Sequence, residues 1–134
     1  DGVKAVTSVE ELYSSSDIVS LHIPATAETK KSINAALLGL MPKGGVLVNT
    51  ARKEVINEEE IVAFMEARPD FKYVTDILPG NDAEMKEKVG ARYFSTPKKM
   101  GAQTSEANIN AGIAAAKQIV DFIANGNQKF RVNK

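Results

Sequence analysis

Arg52 is the residue of this 134-residue sequence whose type and position most directly suggest chemistry. It follows the apolar run at residues 46–49, where a planar fork of N–H donors is suited to holding a carboxylate through two parallel hydrogen bonds. Exposed arginines are also common, and a surface ion pair is the alternative. The position alone therefore indicates a carboxylate-binding residue without establishing one.

Three further kinds of polar residue follow apolar runs. Asp76 ends such a run, where an aspartate either binds a polar ligand or satisfies nearby backbone donors. Lys98 and Lys99 are typical of a solvated turn, unless burial or a cation such as Arg52 favours the neutral amine that a catalyst needs. His22, the single histidine, stands at a run's end, where it is typical of a structural or ligand-lining residue rather than a base.

The elements that position these residues alternate between short apolar runs and segments of helical period, as in βα units around a parallel sheet. Strands are predicted at residues 18–22, 46–49, 73–77 and 92–95, with a short one at 3–6. Helices are predicted at 7–13 with a Thr7/Glu10 capping box, at 34–41, at 57–68 capped by Asn57, and at 104–124. Residues 79–89 are predicted to form a mobile polar surface segment.

The last predicted helix carries an apolar stripe, which indicates packing in the core rather than contact with a cofactor. The stripe consists of Ile109, Ile113, Ala116, Val120 and Ile123. Parallel strands joined by helices place their carboxyl ends along one edge of the sheet, where ligands bind in open α/β folds. One arginine, one aspartate and a lysine pair are therefore expected at a single edge.

The composition argues against several classes of function. Seventeen basic and seventeen acidic residues are interspersed, so no basic stripe is available for nucleic acid. The absence of cysteine and the single histidine argue against a disulfide framework and a zinc site. No apolar run approaches the roughly 20 residues of a membrane span. We expect one compact cytoplasmic domain with no membrane or nucleic-acid partner and no metal.

Several segments, taken in order, resemble the D-2-hydroxyacid dehydrogenases. They are residues 17–24, Thr29, residues 41–52, Asp76 and residues 101–107. Within that family the chain looks most like the members that oxidise 3-phosphoglycerate with NAD, in the first step of serine biosynthesis. The resemblance implies an α/β fold, namely the C-terminal half of a Rossmann-type doubly wound parallel sheet with a long C-terminal helix.

The resemblance also implies roles for individual residues. Arg52 would hold the carboxylate of a small 2-hydroxyacid substrate and polarise the reacting carbonyl, and Asp76 would orient the nicotinamide carboxamide. The residues expected to contact NAD are His22, Ile23 and Pro24 on the adenosine and ribose side, Thr50, Ala51, Arg52 and Asp76 around the nicotinamide, and Met100, Gly101 and Ala102.

The chain departs from the family pattern at the position of the catalytic histidine. Counting back from residues 101–104 puts Lys99 there, whereas counting forward from residues 96–97 gives Lys98. We favour Lys99. The family's glycine after the arginine is Lys53 here, which we expect to have only a local effect.

A second departure concerns the glutamate that pairs with that histidine. Asn81 occupies its place, with Asp82 and Glu84 close by. Because a paired carboxylate would keep a lysine protonated, its loss favours a lysine as the base. We therefore hypothesise that Lys99 is the general acid/base, with its neutral form favoured by Arg52. The alternatives are a catalytically silent nucleotide-binding sensor or co-repressor and a free-standing α/β interaction domain.

The sequence contains no Gly-x-Gly-x-x-Gly turn of the kind that holds the pyrophosphate of a dinucleotide. We expect residues 1–124 to be a partial NAD-binding domain that lacks the first strand, the glycine-rich turn and the first helix. Residues 125–134 would return toward a separate substrate domain. Alone, the fragment is expected to be inactive, and the intact protein is expected to be a homodimer.

Overall fold

The computed structural model describes residues 2–100 and 104–133. The chain divides into two compact units, Asp1–Lys99 and Met100–Lys134. The first unit contains one four-stranded sheet in the order β1-β2-β3-β4, with every neighbouring pair parallel. The strands are β1 (Ile18–Leu21), β2 (Val46–Asn49), β3 (Lys72–Thr75) and β4 (Tyr93–Ser95).

Helices or turns connect consecutive strands of this unit, as the alternating pattern predicts. They are α1 (Val9–Ser15) before β1, α2 (Ala35–Gly39), the short 3₁₀ turn Lys53–Val55, α3 (Glu58–Ala67), α4 (Asp82–Lys88) and the 3₁₀ turn Gly90–Arg92. The four main predicted strands are present, although β1 and β3 end one and two residues earlier than expected. The core is apolar, with Leu38, Leu47, Ile61, Met65 and Phe71 almost completely buried.

The predicted strand at residues 3–6 is wrong. That segment is irregular, and Val3 is 90% exposed. A strand needs a hydrogen-bonded neighbour, and among the described residues no strand pairs with this segment.

Three predictions that concern helices are also corrected. The cap of α1 is Ser8, whose Oγ accepts a hydrogen bond from the backbone N–H of Glu11 at 3.1 Å, rather than Thr7. Asn57 precedes α3 but bonds the side chain of Glu60 instead of capping the backbone. The segment 79–89, expected to be a mobile loop, contains α4.

In the second unit, α5 (Ser105–Asn125) is the long helix that the sequence predicts. Thr104 caps its start by accepting from the N–H of Ala107, and Gly126 ends it with a left-handed backbone. The predicted core packing of its stripe is wrong, because no residue of α5 is buried and Ile123 is 76% exposed. Among the described residues, no helix is both long and apolar enough to cross a membrane.

Candidate functional site

The carboxyl ends of the four strands are level with one another. The pairing register places Leu21 beside Asn49, Asn49 beside Thr75, and Thr75 beside Ser95. The residues that follow are therefore brought to one edge of the sheet, as the sequence predicts. This edge carries the loops that begin at His22, Thr50, Asp76 and Thr96.

The loop that carries Arg52 is held by the completely buried side chain of Asn49. Its Oδ1 accepts from the N–H of Ala51 at 3.0 Å, and its Nδ2 donates to the carbonyl of Arg52 at 3.1 Å. The Arg52 side chain is exposed, with Nη1 donating to the carbonyl of Ala51 at 2.8 Å. The guanidinium keeps further donors that face solvent and suit an anionic ligand.

The turn after β3 is held in a similar way by the buried hydroxyl of Thr75. Its Oγ1 lies 3.1 Å from the carbonyl of Asn49 and accepts from the N–H of Ile77 at 3.1 Å. The N–H of Asp76 donates to Asn49 at 3.0 Å, and the Oδ1 of Asp76 accepts from the hydroxyl of Thr96 at 3.0 Å. The carboxylate of Asp76 thus lies between the ends of β3 and β4.

The two lysines follow the end of β4. Lys98 is exposed and Lys99 is half-buried. Both lysines belong to the loop that begins at Thr96, whose hydroxyl is bonded to Asp76.

Asp82 directly follows Asn81, which stands at the position expected for the glutamate that pairs with the catalytic histidine. Its carboxylate is bound to the side chains of Tyr93, Ser95 and Lys86. Its Oδ1 accepts from the hydroxyls of Tyr93 at 2.8 Å and Ser95 at 2.7 Å, and its Oδ2 pairs with Lys86 at 2.7 Å. The hydrogen bond from Lys86, followed by the one from Ser95, lowers the pKa of Asp82. Asp82 is therefore ionised at neutral pH.

Asn81, which stands at the position expected for the paired glutamate, contacts the start of α3 with its side chain. Its Nδ2 donates to the backbone carbonyl of Glu58 at 2.9 Å, and the N–H of Gly80 donates to the Glu58 carboxylate at 3.0 Å. An added Cβ at Gly80 would approach Glu58 Oε2 to 2.8 Å, so a larger residue there would require the Glu58 carboxylate to shift. The segment between β3 and α4 is thus fixed to the start of α3.

The residues expected on the adenosine side follow β1. His22 is exposed, with Nε2 2.9 Å from the hydroxyl of Ser20, and Ile23 packs against the core. The carbonyl of Pro24 accepts from the hydroxyl of Thr29 at 2.6 Å. This loop is closed on itself and leaves the imidazole accessible.

Three of the predicted cofactor-binding residues are not part of the first unit as described, and their place at this edge stays a prediction. Met100 belongs to the second unit, and Gly101 and Ala102 lie outside the described residues. Conversely, sequence reasoning missed Asn49 and Thr75, which fix the loops of Arg52 and Asp76. The signal for both was a polar residue ending an apolar strand, where a buried polar group needs a hydrogen-bonding partner.

An open parallel sheet with ligand-facing loops at one edge is the architecture of nucleotide-binding α/β domains. The sequence model described as the D-isomer specific 2-hydroxyacid dehydrogenase, NAD binding domain, matches residues 1–98. The chain belongs to this family, and the family resemblance and the predicted fold class are confirmed.

Similar proteins include several dehydrogenases. D-3-phosphoglycerate dehydrogenase of Haemophilus influenzae is 35% identical over 97% of this chain and 33% of its own length. Formate dehydrogenase of Candida boidinii is 35% identical over 72% of this chain and 28% of its own length. The NAD⁺-bound 3-phosphoglycerate dehydrogenase structure from Entamoeba histolytica has a TM-score of 0.80 and 47% identity, covering 96% of this chain and 42% of that one. The chain thus spans about a third of these curated relatives.

The donors and acceptors at the edge fit a nicotinamide cofactor. The exposed guanidinium of Arg52 supplies positive charge and N–H donors, and the carboxylate of Asp76 supplies acceptors for a carboxamide. Buried Ala51 precedes Arg52 in the chain, and half-buried Ile23 follows the end of the neighbouring strand β1. The family's cofactor and the chemistry of the edge therefore agree.

Proposed function

We propose that the intact protein oxidises 3-phosphoglycerate, or a similar D-2-hydroxyacid, to the 2-keto acid with NAD in the first step of serine biosynthesis. This chain would supply the nicotinamide side of the site. The observation that carries the proposal is the level alignment of three adjacent strand ends, followed by Arg52, Asp76 and Lys99. The likeness to phosphoglycerate dehydrogenases over nearly the whole chain supports this choice of substrate.

Arg52 would hold the substrate carboxylate and polarise the oxygen that becomes the carbonyl. Two parallel N–H donors match the geometry of a carboxylate, and their positive charge stabilises developing negative charge on oxygen. The support is the exposed guanidinium on a loop fixed by Asn49. Such a loop restricts where the guanidinium can lie.

Asp76 would orient the carboxamide of the cofactor. Its carboxylate lies at the end of β3, where Thr96 donates to Oδ1, and carboxylate oxygens are acceptors of the kind that a carboxamide N–H needs. When bound, NAD supplies the acceptor for the hydride that leaves C2 of the substrate.

Lys99 would act as the general base. Its neutral amine would take the hydroxyl proton as the C2–H bond breaks and the C2–O bond becomes a carbonyl, leaving a protonated lysine. A carboxylate paired with Lys99 would keep the amine protonated. Asp82, the aspartate next to the position of the family's glutamate, is instead bound to Ser95, Tyr93 and Lys86. Lys98 is the alternative, but it is more exposed than Lys99.

The remaining parts of the proposal rest on the family. His22, Ile23, Pro24, Thr50 and Ala51 would line the cofactor. Residues 1–124 would form part of the NAD-binding domain, and residues 125–134 would return to a substrate domain. A homodimer in the cytoplasm stays a prediction.

A catalytically silent nucleotide-binding domain is the second candidate, because Lys99 and Asn81 stand where the family's histidine and glutamate are expected. The two candidates are separated by mixing the intact protein with NAD and 3-phosphoglycerate and following the absorbance of NADH. We expect steady turnover. Saturable NAD binding without turnover on 3-phosphoglycerate or related D-2-hydroxyacids would support the silent alternative instead.

A further inference from the structure

Two aspartates that follow β3 contact the end of β4 at two consecutive residues. Asp76, which directly follows β3, accepts a hydrogen bond from the hydroxyl of Thr96 at 3.0 Å. Asp82, where α4 begins, accepts from the hydroxyl of Ser95 at 2.7 Å. The last strand residue and the next one are therefore each bound to an aspartate.

These contacts act on opposite sides of the chain. Successive side chains of an extended strand point to opposite faces, so Ser95 and Thr96 are held from different directions. The backbone N–H of Thr96 also donates to the carbonyl of Thr75 at 3.1 Å. Little freedom remains for the chain as it leaves β4.

Pro97 further restricts the backbone between Thr96 and the two lysines. A proline ring fixes its own φ angle and holds the preceding residue in an extended conformation. The direction in which the chain reaches Lys99 therefore depends on how Ser95 and Thr96 are held.

Asp82 is well suited to fixing this strand end. Its Oδ1 accepts from Tyr93 as well as Ser95, so one carboxylate oxygen binds the first and last residues of β4. Hydrogen bonds to an ionised carboxylate are stronger than those between neutral groups. The carboxylate is only 20% exposed, which limits competition from water.

We propose that Asp82 is a positioning residue for the general base, acting through Ser95 to set where the loop at residues 97–99 places Lys99. This inference rests on the proposed function of Lys99. Asp82 itself would touch neither substrate nor cofactor.

The kinetic test uses Ser95→Ala, Ser95→Thr and Asp82→Asn in the intact protein. Misplacement of a catalytic group by about 1 Å can cost about 100-fold. We expect Ser95→Ala and Asp82→Asn to lower kcat by about 10-fold or more while the KM for NAD stays within about 2-fold. Ser95→Thr keeps the hydroxyl and should restore most of kcat. Glu84→Gln, which removes a charge from the same helix, is the matched control and should leave kcat unchanged.

Amide hydrogen exchange at Thr96, whose N–H donates to the carbonyl of Thr75, supplies a readout that does not depend on turnover. We expect at least about 10-fold faster exchange in Ser95→Ala than in the unsubstituted protein. Unchanged exchange and an unchanged kcat would overturn the inference, and so would a loss of kcat that Ser95→Thr fails to restore. If the unsubstituted protein oxidises no hydroxyacid, the proposed function fails. Exchange at Thr96 then still decides whether Asp82 and Ser95 order the end of β4.

Discussion

The side chain of Asn49 holds the backbone of Arg52 from inside the core. The amide nitrogen of Asn49 donates to the Arg52 carbonyl at 3.1 Å, while its oxygen accepts from the N–H of Ala51 at 3.0 Å. Both bonds come from a residue with no exposed surface. A buried side chain thus determines the path of the loop that presents the guanidinium.

Replacing Asn49 with leucine should therefore destabilise the protein and reduce activity together. The leucine has a similar size, but it leaves the N–H of Ala51 without its partner, at a cost of about 1–3 kcal/mol in the free energy of unfolding. Urea denaturation of the intact protein measures this. Lys53→Ala, an exposed change in the same loop, should stay within about 0.5 kcal/mol. Equal stabilities for the two variants would contradict this role of Asn49.

Replacing Arg52 with lysine tests the proposed bidentate hydrogen bonding of the guanidinium to the substrate carboxylate. Lysine keeps the charge but loses the planar pair of donors, so we expect about 1.5–3 kcal/mol less transition-state binding. This corresponds to about 10- to 100-fold in kcat/KM for 3-phosphoglycerate. Steady-state kinetics with the substrate varied at saturating NAD gives the ratio. A ratio near one would show that only the charge of Arg52 matters.

The strand positions could be predicted because each is an apolar run bounded by turn residues, and parallel pairing then brings the following loops together. The positions of Asn49 and Thr75 at strand ends were visible, but their partners were not. Asn49 bonds its own loop and the phenol of Tyr73 on the next strand, and Thr75 bonds the backbone of β2. Such contacts depend on the relative placement of two strands, which local sequence does not specify.

Local signals were also ambiguous at helices. Thr7 and Ser8 are adjacent cap formers, and each has a glutamate three residues later, so tertiary contacts decide between them. Helix α4 was missed because its apolar signal is short. Met85 and Val89 lie four residues apart and are buried, while the residues between them are charged. One such pair is too little to distinguish a helix from a polar loop.

Tyr13 should tolerate loss of its hydroxyl. The phenol oxygen is buried, and the described residues offer it no hydrogen-bond partner. Tyr13→Phe should therefore leave the free energy of unfolding unchanged or raise it by up to about 1 kcal/mol, whereas Tyr13→Ala should cost about 3–5 kcal/mol through the cavity. Thermal or urea denaturation distinguishes the two. A large loss in Tyr13→Phe would mean that the hydroxyl is bonded in solution.

Burial also raises the pKa of Tyr13 to about 12 from its ordinary value of 10.0. The unfolded chain then releases this proton at lower pH than the folded one. The corresponding stability is present below about pH 10 and is lost as the pH rises toward 12. The difference in unfolding free energy between the unsubstituted protein and Tyr13→Phe should therefore change over this alkaline range. A constant difference would contradict the raised pKa.

The opposite pH dependence is expected from Asp70. The hydrogen bond from Arg68 and the N–H of Gly44 hold the pKa of this carboxyl well below its ordinary value of 3.8. The ionised form is favoured in the folded state, so its stabilisation is full above about pH 4 and is lost as the pH falls further.

Asp70→Asn should accordingly be less stable than the unsubstituted protein at neutral pH and approach it in acid. Urea midpoints across the acid range provide the measurement. Asp17→Asn, a change at an exposed aspartate, is the control. The same loss for Asp70→Asn at every pH would show that its charge is not involved.

The most direct test of the proposed chemistry compares Lys99→Ala with Lys98→Ala in the intact protein, with kcat for the oxidation of 3-phosphoglycerate as the measurement. A general base contributes about 100- to 10,000-fold to the rate. We expect Lys99→Ala to lose turnover on this scale while it still binds NAD, and Lys98→Ala to keep most of it. Full turnover in Lys99→Ala would contradict the account.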